Sequence, residues 1–417
     1  MNDLASLARS YLTRSLKPFE FKNEYDNRLK DGSCESLGLY VHIPFCKQLC
    51  SFCPYCKELY SEEKMDKYID ALIKEIRLVG TKFKKKRVTS LYFGGGTPAL
   101  AADRIEEIIS VINEYFIITE GIGIELHPDN VNYETLSALK ASGVTKISIG
   151  IQSFQDKFLS VLGRRKFDIE KMSEALKNVK FETVSMDFIF ALPNQTFVDL
   201  KSDIELAFSS GANHVAIYPF IDFTFTKSPV KAMDNKEKRE LLDKITLYCQ
   251  NQGYRRDSIW TFSNDPSAKY SSMTRENFLG FGCSATTLLK KQFKINTFNV
   301  EEYCRRVQSG RLPTSLTLRF TLRQRMVYWL FWTAYSTKVD SRDFEKFFGV
   351  PLEEYYGKEV RIAEKLNLIT SDNGVYQMTL KGAFYYHYFE NYYTLAYIDK
   401  MWGIMRKEAF PKKIVLN

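Results

Sequence analysis

Four of the chain's eight cysteines, Cys46, Cys50, Cys53 and Cys56, fall within eleven residues of HIPFCKQLCSFCPYCK, His42 to Lys57. Thiols at that density can hold zinc, cycle as a redox pair or ligate an iron–sulfur cluster. Structural zinc sites usually join two ligand pairs from separated segments. Here one loop, stiffened by Pro54, would have to fold around the ion, while Cys249, Cys283 and Cys304 stand singly. A thioredoxin-like pair at Cys53 and Cys56 has to open a helix, and it leaves Cys46 and Cys50 without a role. Soft thiolates at short spacing suit an iron–sulfur cluster, whose sulfides the loop amides can reach. On spacing alone iron–sulfur ranks first, zinc second and redox third.

The elements that must position this loop are legible around it. Short apolar, β-rich runs at 39–45, 90–96, 122–128, 146–153, 184–193 and 214–220 alternate with helical patterns beginning at Lys64, Asp103, Tyr133, Asp168 and Phe197. Strands apolar on both faces and separated by helices indicate a parallel sheet of β/α units. Six units make an open sheet or an incomplete barrel, and in either form chemistry gathers where strands end. The polar residues obey that rule. The cysteine loop follows the first run and GGGTP (94–98) the second, Glu125 lies in the third, Gln152 ends the fourth, Asp187 lies in the fifth and Tyr218 in the sixth.

After about residue 230 the rhythm changes. NFLGFGCSATTLL (277–289) reads as a glycine-interrupted apolar loop. Helical patterns follow at TLRQRMVYWLFWTAY, SRDFEKFFG and PLEEYYGKEVRIAEKLNLI, then a hairpin at ITSDNGVYQMTL with Asn373-Gly374 at its turn. Helices followed by a hairpin resemble a winged-helix unit. The tail GAFYYHYFENYYTLAYIDKMWGIM is aromatic at helical spacing; a core-packing helix is favoured over a lid on a flat apolar ligand. The expected division is an N-terminal extension (1–36), a core barrel (37–230) and a mostly helical C-terminal domain (231–417).

Composition narrows the classes. No apolar run is long enough to span a bilayer. The N-terminal Leu/Arg mixture lacks the apolar core of a signal peptide, so a cytoplasmic protein with reduced thiols is expected. The net charge of +9 is moderate, and KFKKKR (82–87) reads as a solvated helix end. The cations are not gathered on one recognition helix, so no nucleic-acid partner is expected; a basic surface can still attract an anionic small molecule. A monomer is expected.

C-x3-C-x2-C with Phe52 before its last cysteine, directly after a first strand, resembles the signature of radical SAM enzymes. LYVHIPFC, YFGGGTP, SIGIQSF, the LGR at 162–164, MDFIFALP and FLGFGCSAT, in this order between about 38 and 330, resemble the oxygen-independent coproporphyrinogen III oxidase family and its relatives. The resemblance implies an α/β fold, a partial (β/α)6 radical SAM barrel, with a [4Fe–4S] cluster on Cys46, Cys50 and Cys53. Its fourth iron would bind S-adenosylmethionine (SAM). One electron from an external donor would cleave SAM to methionine and a 5′-deoxyadenosyl radical, which abstracts hydrogen from a small-molecule substrate. The cofactor carries the hard chemistry and the barrel orients and shields it.

The same resemblance assigns SAM contacts. Tyr40 would lie near the SAM carboxylate and the cluster, as a catalytic candidate. Gly95, Gly96 and Thr97 would admit the methionine amino group, although a strand-end turn alone also explains glycine there. Glu125 and Gln152 would contact SAM or be satisfied interior polar residues. Arg164 would pair with the SAM carboxylate or be an exposed helix-end cation. Asp187, in an apolar strand where an unpaired carboxylate is costly, would meet ribose or amine. Ala216 and Thr286 match adenosine-pocket positions. His127, His214 and His387 are expected to be structural, and His42 a residue near the cluster.

Two features depart from the family's pattern. Nothing before Cys34 resembles YTSYP, and Cys56 lies three residues after Cys53 where the family's fourth cysteine falls two after the third. Both bear on decarboxylation and leave the radical SAM core untouched. Three functions follow: oxidative decarboxylation of a tetrapyrrole propionate in porphyrin biosynthesis, methyl transfer or cyclopropanation with two SAM molecules, or a heme-binding chaperone without oxidase activity. Nucleic-acid binding through the winged-helix-like part rests on fold analogy alone.

Overall fold

The structure, a computed structural model, describes residues 2–24, 36–266 and 276–417, so Cys34 lies outside it. It opens with α1 (Asn2–Thr13) and β1 (Phe19–Lys22). The six β-rich runs then form β2 (Gly38–Ile43), β3 (Leu91–Gly95), β4 (Ile122–Leu126), β5 (Lys146–Gln152), β6 (Thr183–Phe190) and β7 (His214–Pro219). Each pairs in parallel with the next, in chain order. The connections run through α2 (Glu62–Gly80), α3 (Ile105–Tyr115), α4 (Tyr133–Ala141), α5 (Ile169–Asn178) and α6 (Phe197–Ser209).

Local chemistry explains these boundaries. The Ser61 side chain accepts from the Lys64 amide at the start of α2, with Glu62 and Glu63 in the positive first turn. Thr196 and Asp199 close a reciprocal capping box on α6. Met65, Tyr68, Ile69, Leu72 and Ile76 recur at helical spacing on α2 and are buried in the main core with Val41, Ile43 and Phe93 of the strands. Burial on both faces makes these strands read as continuous apolar runs rather than alternating ones.

The sheet runs on at both edges. Beyond β7, after α7 (Asn235–Asn251), the antiparallel β8 (Arg255–Ser258) and β9 (Thr261–Ser263) are added. Beyond β2 lies β10 (Phe278–Phe281), in parallel, followed by β11 (Thr286–Leu289) and β12 (Gln292–Asn296) in antiparallel order. After α8 (Val300–Gln308) comes β13 (Thr314–Arg319), which lies between β12 and β1. The stretch expected as an apolar loop over 277–289 is therefore two strands. Its residues are buried on both faces, so no alternation marks them, and Gly280 runs so close to β11 that a Cβ would sit 2.1 Å from the Thr286 carbonyl oxygen.

The remaining elements begin with α9 (Leu322–Ala334), β14 (Lys338–Asp340), α10 (Ser341–Phe348) and α11 (Leu352–Lys365). β15 (Ile369–Asp372) and β16 (Val375–Met378) form the expected hairpin, with positive φ at Asn373 and Gly374. β14 joins it to make a three-stranded sheet. The aromatic tail becomes α12 (Leu380–Tyr393), a π-helical segment (Thr394–Asp399) and α13 (Lys400–Met405), and β17 (Lys413–Leu416) returns to β1 at the sheet edge. Among the described residues no helix is long and apolar enough to cross a membrane.

Candidate active site

The cysteine loop leaves β2 and is held at several points. Lys57 Nζ donates to the carbonyls of Cys50 at 2.6 Å and Cys53 at 2.8 Å, folding the loop onto itself. Gln48 Nε2 reaches the Gly163 carbonyl at 2.9 Å, and Arg406 donates to the Pro54 carbonyl. Phe52 packs against the cluster formed by Phe158, Leu162, Ile189, Leu192 and Phe220. So held, Cys46, Cys50 and Cys53 line one cavity of about 1200 Å³. Burial pushes the Cys46 thiol up to about 11, against the hydrogen bond from Thr97 Oγ1 at 3.7 Å.

Cys56 faces the other way. Its sulfur is buried, donates to the Phe298 carbonyl at 3.1 Å, and lies 3.7 Å from the sulfur of Cys283. The loop thus separates three thiols from one. His42 supports that split: one ring nitrogen is 3.0 Å from the Cys56 carbonyl and the other 3.0 Å from the Tyr40 hydroxyl. Burial holds the His42 ring neutral, with a pKa of about 4.

The strand ends supply the polar wall. Glu125 accepts from the Gly95 amide at 3.0 Å and from the Tyr92 hydroxyl at 3.2 Å, and burial with the nearby Asp187 raises its pKa to about 7. Asp187 accepts from Ser148 Oγ at 2.7 Å and Ser185 Oγ at 3.2 Å, so hydroxyls of the protein already partner this carboxyl, which burial raises to about 6. His214 stands behind it, 2.9 Å from Ser185 Oγ. Gln152 has φ +71° where β5 slips by one residue against β6, and this bulge ends the strand at the cavity. Arg164 donates to the Gly150 carbonyl at 2.6 Å and lines the cavity rather than capping an exposed helix end.

Gly96 is needed for close approach: a Cβ would lie 2.6 Å from the Phe45 carbonyl oxygen. Gly95 has φ +123° and lies against His42. Thr97 and Thr286 also line the cavity. Tyr40 and Ala216 do not. Tyr40 stacks on Tyr92, which takes the wall position, and Ala216 is buried between β6 and β9. His127, expected to be structural, is on the wall and accepts from the Asp129 amide at 3.2 Å.

The far side of the same cavity is aromatic. Tyr328, Phe331, Trp332 and Tyr335 come from α9 and its end, and Tyr392, Tyr393 and Tyr397 from the tail, whose Trp402 lies 6.1 Å from Tyr55 of the cysteine loop. The tail therefore walls a cavity as well as packing a core. Sequence reasoning did not single out Tyr92, Ser148, Lys57 or Trp260. Ser148 and Tyr92 sit one strand away from Asp187 and Glu125, the carboxyls they serve, a relation that the strand register alone reveals.

Comparison with known proteins agrees with this geometry. Residues 40–207 match the family model described as the Radical SAM superfamily. A heme chaperone, HemW, of Bacillus subtilis is 25% identical over 81% of this chain and 94% of its own length. The oxygen-independent coproporphyrinogen III oxidase of Salmonella typhimurium is 24% identical, over 83% of this chain and 82% of its own. The solved structure of the Escherichia coli coproporphyrinogen III oxidase HemN superposes with a TM-score of 0.73 at 22% identity, covering 85% of this chain and 89% of that one, which establishes the fold. A radical SAM domain implies a [4Fe–4S] cluster and SAM. Three thiols on one cavity with the fourth turned away fit a cluster that keeps one iron open.

Proposed function

We propose, from the premise that this chain carries a radical SAM domain, that it is an oxidoreductase acting on a tetrapyrrole propionate, in the manner of oxygen-independent coproporphyrinogen III oxidase. One observation carries the reading: a single cavity of about 1200 Å³ joins Cys46, Cys50 and Cys53 at one end to an aromatic wall at the other. A flat apolar macrocycle suits that wall. Lys47 and Arg165 line the cysteine end and suit its carboxylates.

Cys46, Cys50 and Cys53 would hold the cluster, and Gly95–Thr97, Glu125, Gln152, Arg164, Asp187 and Thr286 would bind SAM. When bound, the two cofactors supply one-electron cleavage of SAM and hydrogen abstraction from substrate. The chain's own work is placement. The Gly95 amide and the Tyr92 hydroxyl orient Glu125, and Ser148 and Ser185 orient Asp187. The two acids, with pKa values of about 7 and 6, can each hold a proton near neutral pH and so offer either a donor or an acceptor. The aromatic wall excludes water from a reactive centre. Tyr40 acts through His42 and Tyr92 as a positioning residue.

A second reading, a heme chaperone without oxidase activity, is favoured by the heme chaperones of Bacillus subtilis and Lactococcus lactis, 25% and 26% identical over 81% and 82% of this chain. One experiment separates the readings. Protein reconstituted anaerobically with iron and sulfide is given SAM, dithionite and coproporphyrinogen. Decarboxylation predicts 5′-deoxyadenosine together with a vinyl product. Deoxyadenosine and S-adenosylhomocysteine without vinyl product point to a transferase using two SAM. Tight heme uptake without turnover points to the chaperone. Colourless protein with tightly bound zinc overturns the radical reading.

A further inference from the structure

One side chain of the cysteine loop stands in the cavity with its hydroxyl unused. Tyr55 lines the cavity, and 54% of its surface is open, although the residues on either side of it are half-buried or buried. The backbone is pinned before and after it. Arg406 donates to the Pro54 carbonyl, the Cys56 thiol donates to the Phe298 carbonyl at 3.1 Å, and a ring nitrogen of His42 lies 3.0 Å from the Cys56 carbonyl. The Tyr55 ring leans on Trp402 at 6.1 Å, and Trp402 is itself stacked on Phe223 at 6.3 Å. Anchored in this way, the phenol is preorganised.

Glu125, Cys53 and Asp187 of the cysteine end and Tyr335 of the aromatic wall all act on this phenol, so it stands where the two ends meet. Its hydroxyl makes no hydrogen bond among the described residues. The two acids do not need it. The oxygens of Glu125 accept from the Gly95 amide and the Tyr92 hydroxyl, and those of Asp187 from Ser148 and Ser185. A phenol is protonated at neutral pH and has one hydrogen bond to donate. A donor held this firmly, open to the cavity and unused by the chain, points to an acceptor on a ligand. On a tetrapyrrole the charged acceptors are the carboxylates of its edge. A macrocycle laid on the aromatic wall turns an edge towards the cysteine end, and Tyr55 lies on that path.

Resting on the tetrapyrrole reading above, we propose that Tyr55 is a specificity-determining residue whose hydroxyl donates to an edge carboxylate of the bound macrocycle and so holds that propionate at the cysteine end. Trp402 positions its ring.

The test uses the full chain with its cluster reconstituted and SAM present, under anaerobic conditions and without reductant, so that nothing turns over. Coproporphyrin III and etioporphyrin III are titrated by porphyrin fluorescence against wild type, Tyr55→Phe and Tyr55→Leu. Etioporphyrin III is the same ring with every carboxyl group replaced by hydrogen. Tyr55→Phe removes only the hydroxyl and should weaken coproporphyrin binding about tenfold, the usual scale for a lost hydrogen bond to a charged group. Etioporphyrin should bind that variant within about twofold of wild type. Tyr55→Leu, which also loses the ring, should weaken both ligands, and coproporphyrin by about tenfold more than etioporphyrin. Iron content and thermal melting report whether each variant folds, and if Tyr55→Leu fails, Tyr55→Phe alone carries the test. Equal losses for both ligands on Tyr55→Phe, no loss for either, or a loss that falls on SAM binding instead overturns the assignment. Wild type that binds neither porphyrin overturns the tetrapyrrole reading and this one together, whereas binding that ignores the Tyr55 hydroxyl overturns this one alone.

Discussion

The two ends of the cavity are built on opposite plans. At the cysteine end, side chains come from one loop and from consecutive strand ends, and protein partners hold them in place: Lys57 on the loop carbonyls, Ser148 and Ser185 on Asp187, Gly95 and Tyr92 on Glu125. At the aromatic end the wall is assembled from α1, α9 and the tail, and its rings contact mainly one another, as Phe331 stacks on Tyr386 at 5.1 Å and lies 5.3 Å from Tyr393. The first plan suits groups that must be held at fixed positions. The second suits a surface that accepts a large flat body without reading every atom of it.

If the ends are separable, each should fail without the other. The largest effect is expected from Cys53→Ala, which should lose essentially all cluster iron and visible absorption after reconstitution while still binding a metal-free porphyrin. Cys56→Ala should keep its cluster, because that thiol bonds to Phe298 and faces Cys283 rather than the cavity. The reverse pattern would mean that a different three thiols hold the iron.

Next comes the share of a pH effect that one carboxyl of the cysteine end contributes. The Glu125 carboxyl is raised from its ordinary range to about 7, mainly by burial and then by Asp187. Between about 4.5 and 7 the folded chain keeps a proton that the unfolded chain has lost, so this group makes stability fall as pH rises through that window. His42, held neutral with a pKa of about 4, works in the opposite sense, so the comparison must be between variants. Urea unfolding of cofactor-free protein at pH 5 and pH 7 should show Glu125→Gln recovering about 2 kcal/mol of that fall. Parallel pH slopes for variant and wild type would refute the assignment.

The smallest effect tests the other end. Trp332→Ala should weaken metal-free porphyrin binding about tenfold, roughly 1.4 kcal/mol, with iron content unchanged. Loss of the cluster in this variant would show that the two ends are one coupled unit.

Much of the cysteine end was legible in the sequence. Strand-end positions follow from the alternation of apolar runs and helices, and Glu125, Gln152 and Asp187 fall on the wall for that reason. Arg164 was legible only by motif. Tyr40 and Ala216 lie off the wall, because a strand residue's neighbours depend on sheet curvature and on which ring stacks over it. The aromatic wall was the least legible part. Rings at helical spacing read alike whether they pack a core or line a cavity, and the tail does both, with Tyr386 buried and Tyr392 on the wall.

The sequence by itself determined the order of β2 to β7, the helices between them and the placing of four thiols directly after the first strand, because hydrophobic period and caps are local properties. Tertiary structure decided how those thiols divide. Cys56 is turned inward by Cys283, 227 residues away, and by the carbonyl of Phe298, 242 residues away. It also decided that the aromatic tail closes over the cavity that Cys46 lines. Both depend on elements distant in the chain closing around one space, and no local pattern encodes that.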